Sequence, residues 1–125
     1  MAEQSRSEEP GGRGEQAGMT AGVIRSEFAN DPDMREIVEM YVQEMPERIG
    51  RLEEVWTGQH LDELKRLAHQ IKGASGGYGF TPVGDAASRL ESTLMRLSEG
   101  STQVTLEQMR GQFGDLLDMC RRVQM

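Results

Sequence analysis

Several things are scarce in this sequence, and each shortage narrows what the chain can be. There is one cysteine, Cys120, so neither an internal disulfide framework nor a cysteine-based zinc site is available. No run approaches the ~18 consecutive apolar residues of a membrane span. The N-terminus also lacks the apolar core of a secretory signal peptide. Bases are in the minority: 14 Lys+Arg against 21 Asp+Glu leave a formal net charge of −7. A nucleic-acid binder needs the opposite, a basic footprint. These shortages point to a soluble, acidic, cytoplasmic domain with no membrane and no nucleic-acid partner.

What is present divides along the chain. At 125 residues there is room for one ordinary domain and a tail. Residues 1–19 contain four Gly, one Pro and six charges without apolar periodicity. Such a stretch buries too little surface to offset its ordering entropy and is expected to be a disordered tail. Residues 20–125 are expected to form the folded domain. The overall 36% hydrophobic content is low, but a polar tail dilutes it. The charge is equally uneven. Residues 1–58 hold 13 acids and 6 bases, whereas residues 59–125 hold 8 of each. Either the halves face different electrostatic tasks, or the first half carries an acidic solvated face.

The remainder reads as helices. Asp31-Pro32-Asp33 supplies an acidic N-cap, a proline for the first helical position and a second acid in the first turn. Val38, Tyr41, Met45, Ile49, Leu52 and Trp56 then recur at intervals of three and four, one stripe on a helix. Pro46 interrupts the hydrogen bonding without shifting that register, which fits a kinked helix or two nearly collinear ones. After Gly58 a second stripe runs through Leu61, Leu64, Ala68, Ile71, Ser75 and Tyr78, with Gly79 as a stop. Thr81-Pro82 opens a third helix with Val83, Ala87, Leu90, Leu94 and Leu97 inward, and Gly100 closes it. The last stripe is Leu106, Met109, Phe113, Leu116, Cys120 and Val123. No segment alternates with a period of two. The fold class is therefore all-α, an antiparallel four-helix bundle with short connections.

Most candidate residues have structural explanations. Met45 and Met109 lie on inner stripes, where a flexible thioether fills gaps. Cys120 sits on the last inner stripe as a small buried hydrophobe. His60 and His69 are nine residues apart, so they project roughly 180° from each other and cannot share a metal; no metal site is expected. His60 is read as structural or solvated.

His69 has different surroundings. It lies off the apolar stripe, on a face with Asp62, Lys65, Arg66, Lys72, Gly73 and Gly76. Residues three and four apart on a helix are neighbours, so the three cations are expected to lean toward the imidazole. There they would disfavour imidazolium and stabilise an anion built onto the ring. Gly73, which costs about 1 kcal/mol relative to Ala, leaves space over the ring. An unobstructed histidine among cations has the makings of a phosphoryl acceptor.

The run His69-Gln70-Ile71-Lys72-Gly73-Ala74-Ser75-Gly76-Gly77-Tyr78-Gly79 resembles the signature of histidine-containing phosphotransfer domains, H-x-[IL]-K-G-[AS]-[AS]-x-x-(apolar)-G. Tyr78 is bulkier than the aliphatic residue usual at its position. The likeness extends over about residues 30–124: Met45-Pro46-Glu47-Arg48 resembles the proline-bearing segment of the preceding helix, and Ala87-Ser88-Arg89-Leu90-Glu91 the helix after the motif. The resemblance implies a four-helix bundle that carries a phosphoryl group on His69. The donor would be a receiver-domain aspartate, that of a hybrid sensor kinase among them, or a kinase, and the acceptor another receiver. It also implies a monomeric carrier that does not bind ATP and has no cofactor of its own, the Mg²⁺ belonging to the receiver. No Walker A pattern or glycine-rich nucleotide loop occurs in these residues. Lys72, with Lys65 or Arg66, is expected to face the phosphoryl oxygens; Gly73 and Gly76 to admit the partner's loops; Gln70 to make a side contact. Two alternatives stand beside this: an adaptor bundle without chemistry, and the histidine-bearing input domain of a chemotaxis-type kinase.

Overall fold

The computed structural model describes residues 22–125; the expectation of a tail over residues 1–19 falls outside them. Four helices follow in order: α1 (Arg35–Thr57), α2 (Leu61–Gly77), α3 (Thr81–Ser98) and α4 (Leu106–Arg121). Short connections force neighbours to run antiparallel, and the helices pack α1–α2, α2–α3, α3–α4 and α4–α1 around one core. There is no strand among the described residues, only an isolated bridge between Ile24 and Val123. No helix among the described residues is long and apolar enough to cross a membrane.

Helix α1 starts later than its sequence signal implies. Asp31 does not cap it; its carboxylate accepts the Asp33 backbone N–H at 2.9 Å and closes a preceding turn. The helix begins at Arg35 and runs unbroken through Pro46. Continuity survives because the stripe on both sides of the proline is anchored: Val38, Tyr41, Met45 and Leu52 are all buried. At the far end Val55 takes the buried position, and Trp56 lies half-exposed, stacked on Phe113 with ring centroids 4.6 Å apart.

Helix α2 buries Leu64, Ala68, Ile71 and Ser75, and α3 buries Val83, Ala87, Leu90 and Leu94. Ser75 is a polar group inside the core, satisfied by a short hydrogen bond with the Tyr41 hydroxyl. Between α2 and α3 the side chains are small. A Cβ added at the buried Gly84 would touch the Lys72 carbonyl at 3.5 Å and the Ser75 Cβ at 3.7 Å, so the two backbones approach closely here. This α2–α3 pair is the most extensively packed in the bundle.

The turn between them is tied from outside. Gly79 adopts φ +85°, and a Cβ there would fall 2.7 Å from the Ser26 hydroxyl. Ser26 donates to the Tyr78 carbonyl at 2.6 Å, and the Glu27 N–H donates to the Gly79 carbonyl at 2.9 Å. Ile24 meanwhile exchanges backbone hydrogen bonds with Arg122 and Gln124 beyond α4. Residues 24–28 thus strap the α2–α3 turn to the chain's end.

Helix α4 is capped by the Thr105 hydroxyl, which accepts the Gln108 N–H at 3.0 Å. Its inner stripe is Met109, Phe113, Leu116 and Cys120, continued by Val123 beyond the helix. Leu106 departs from the expected stripe: it is 59% exposed. As the first residue after the cap it lies at the edge of the bundle, where no neighbouring helix covers it. Burial pushes the Cys120 thiol up to about 12, so it stays protonated as a packing group.

Candidate functional site

His69 follows Ala68, the innermost residue of its turn, and the 100° step carries it out of the core. Its side chain is 69% exposed. The close α2–α3 packing brings Glu91 beside it, with His69 Nδ1 2.7 Å from Glu91 Oε2. Lys72, one turn along, donates to Glu91 Oε1 at 3.1 Å. One nearly buried carboxylate therefore gathers both side chains.

The state of Glu91 follows from its partners. Burial pushes its carboxyl up, but the hydrogen bonds and charges of Lys72 and His69 outweigh this and hold it below the usual range. An ionised carboxylate can only accept, so the bond to His69 places the imidazole proton on Nδ1. In the neutral ring the lone pair then lies on Nε2, across from the carboxylate. The result is an oriented ring with a nucleophilic nitrogen on an exposed side chain.

The three cations have hydrogen-bond partners other than the imidazole, although Lys72 stays beside the ring through the carboxylate they share. Arg66 donates to Glu63 at 2.7 Å, and Glu63 also accepts from Arg51 at 3.2 Å. Lys65 reaches Ser98 of α3 at 3.4 Å, and Lys72 is held by Glu91. The hydrogen bonds to Arg66 and Arg51 keep the Glu63 carboxyl low and Arg66 correspondingly high. The charged group against His69 is thus an acid from another helix. Of the site candidates, His69 and Lys72 share one network, while Lys65 and Arg66 stand in separate ones.

Gly73 and Gly76 are exposed, and a Cβ added at either would meet nothing within 4 Å. Neither is required for packing; both leave the surface beside His69 low. Gln70 is exposed on the opposite edge of α2, lining a shallow groove with Glu47 and Arg48 of α1. His60 stands at the N-terminus of α2, beside Gly58, in a broad cavity of about 1170 Å³ that does not include His69. Among the described residues no cluster of three or more His, Cys, Asp or Glu side chains is placed to hold a metal ion.

Glu91 is the residue that sequence reasoning left without a role, although its position was legible. His69 lies eleven residues before Phe80, in the α2–α3 turn, and Glu91 lies eleven after it. In an antiparallel helix pair, residues equidistant from a tight turn face each other.

Fold and site together define a class: an antiparallel four-helix bundle that presents one oriented histidine on the outer face of its second helix. A family model described as Hpt domain matches residues 36–124, and the chain belongs to the Hpt domain family. Membership carries a role in histidine-containing phosphotransfer within phosphorelays. No curated protein and no solved structure matches the chain.

Proposed function

We propose that the protein is a phosphorelay intermediate. His69 takes a phosphoryl group from the aspartyl phosphate of a receiver domain, or from a kinase, and passes it to the aspartate of another receiver. The observation that carries this is the anchored ring: Nδ1 bound to Glu91 at 2.7 Å, with Nε2 free on an exposed side chain.

Nε2 attacks phosphorus in line; the N–P bond forms as the bond to the donor's carboxylate oxygen breaks and that carboxylate leaves. The Nδ1 proton stays where it is. The ring becomes cationic as its lone pair is committed, and the Glu91 carboxylate compensates that charge at short range. Reversal of the same steps delivers the group to the next receiver. Charge on the equatorial phosphoryl oxygens is met by the receiver's own Mg²⁺ and by Lys72, which exchanges Glu91 for a phosphoryl oxygen. Lys65 and Arg66, a turn away, contribute to the field that attracts an acidic receiver site. Gly73 and Gly76 admit the receiver's loops, and Gln70 contacts their edge. The carrier works as a cytoplasmic monomer without ATP or a cofactor of its own.

Incubation with a ³²P-phosphorylated receiver tests this. The expected result is an acid-labile, base-stable label on the protein and none on His69→Gln. Label persisting in His69→Gln, or a wild type that binds receivers without ever acquiring label, would favour the adaptor reading.

A further inference from the structure

The two sides of α2 are not equivalent. On the side facing α3, three polar side chains lean across: His69 and Lys72 onto Glu91, and Lys65 onto Ser98. Between those contact points lies Met95, four residues after Glu91 and three before Ser98, hence on the same face of α3. It is 45% exposed, although Leu94 beside it is buried. The outward neighbours on this row, Ser88 and Ser92, are small, so Met95 is the exposed apolar side chain of this flank, one turn of α3 beyond Glu91.

On the side facing α1 the surroundings are charged and bulky. Glu44, Glu47, Arg48 and Arg51 line the groove, with Arg48 bound to Glu44 and Arg51 bound to Glu54 and Glu63. The exposed apolar residues on that flank, Ile37 and Met40, are interleaved with Glu36 and Glu39 on an acidic stretch of helix. An acid-rimmed partner is repelled by this flank and attracted by the lysines of the other.

We infer that a receiver domain seats on the α2–α3 flank, with Met95 as its apolar contact and Lys65 and Lys72 facing its acidic rim. This rests on the proposed transfer from His69 to receivers and adds the direction from which they approach. A flexible thioether suits such a surface, because it adapts to more than one partner and can serve both a donor and an acceptor. Met95 is a docking residue; it does not touch the reacting atoms.

The test separates docking from chemistry with a small phosphodonor. Phosphoramidate labels an exposed histidine without a docking surface, and His60 is exposed too, so every protein in the test carries His60→Gln: in that background the parent, Met95→Asp, Met40→Asp and Leu106→Asp should all label equally, and His69→Gln should not. Each labelled protein is then mixed with a receiver. Transfer from Met95→Asp should slow by about tenfold as a like charge meets the acidic rim, while Met40→Asp and Leu106→Asp change by less than about twofold. Recovery of the rate in Met95→Leu would show that apolar contact is what matters. Unchanged transfer from Met95→Asp, or an equal loss in Met40→Asp, overturns the assignment of the flank. Failure of the parent to label or to transfer would instead overturn the phosphotransfer reading itself.

Discussion

Glu91 accepts the Nδ1–H of His69 at 2.7 Å and the ammonium of Lys72 at 3.1 Å, so one carboxylate on α3 sets both the tautomer of the histidine and the resting place of the lysine. The two functions can be separated. Glu91→Gln keeps an oxygen acceptor for Nδ1–H but loses the charge; Glu91→Ala loses both. Long-range ¹H–¹⁵N spectra should show the Nδ1–H tautomer retained in Glu91→Gln and mixed tautomers in Glu91→Ala. Transfer should fall by about tenfold in the first, as one charge-stabilising group is lost, and further in the second.

The same carboxylate gives stability a pH dependence. Burial raises its pKa, the Lys72 and His69 hydrogen bonds lower it, and the net direction is down. A proton binds less tightly to Glu91 in the folded protein than in the unfolded chain. The ionised network therefore contributes fully above the ordinary carboxylate range, about 4.3 for Glu, and is lost as pH falls through the lower folded value. Thermal melts of wild type and Glu91→Gln should converge as the pH drops from about 6 to about 3, with wild type the more stable at the upper end.

Gly73 should show stability and function pulling apart. Space above it is open, so Gly73→Ala should stabilise the fold by up to about 1 kcal/mol, read as a higher melting temperature. Gly73→Phe should still fold and accept label from phosphoramidate, yet transfer poorly to a receiver, because a large ring stands where the partner must come close.

Gly79 should behave in the opposite way. Its φ of +85° and the Ser26 hydroxyl 2.7 Å from any added Cβ leave no room for a side chain. Gly79→Ala is expected to destabilise by about 1–3 kcal/mol, measured by denaturant titration. Ser26→Ala, which removes the bond to the Tyr78 carbonyl, should cost about 1 kcal/mol.

Lysine and arginine at adjacent positions should differ in effect. Either reversal changes the charge by two units, but Arg66 is held by Glu63 along α2, whereas Lys65 reaches a hydroxyl on α3, the flank assigned to the receiver. Lys65→Glu alone should account for most of the slowing seen in Lys65→Glu plus Arg66→Glu, and the effect should shrink as salt is added. Stopped-flow or quench-flow transfer at two ionic strengths reads both.

Much of this architecture was legible because helical periodicity and glycine stops report on local physics. Ala68, Ile71 and Ser75 had to face inward, and Gly79 and Gly100 do adopt the positive φ that ends a helix. The misses lie where tertiary context decides. Asp31 closes a turn instead of capping α1, and Leu106 keeps the inward spacing but has no helix over it. Arg66 bonds Glu63 within α2, but the partners of Lys72 and Lys65, Glu91 and Ser98, belong to another helix. Only the pairing of two elements reveals them. The acidic first half of the chain likewise gains a meaning once α1 is seen to wall one side of α2.

Phosphorus NMR of the protein labelled by a receiver tests the central claim most directly, since it distinguishes a phosphoryl group on Nε2 from one on Nδ1. With Nδ1–H committed to Glu91, a single phosphohistidine resonance is expected, that of the Nε2 isomer, absent from His69→Gln. An Nδ1-phosphorylated product, or a signal that survives in His69→Gln, would contradict the account.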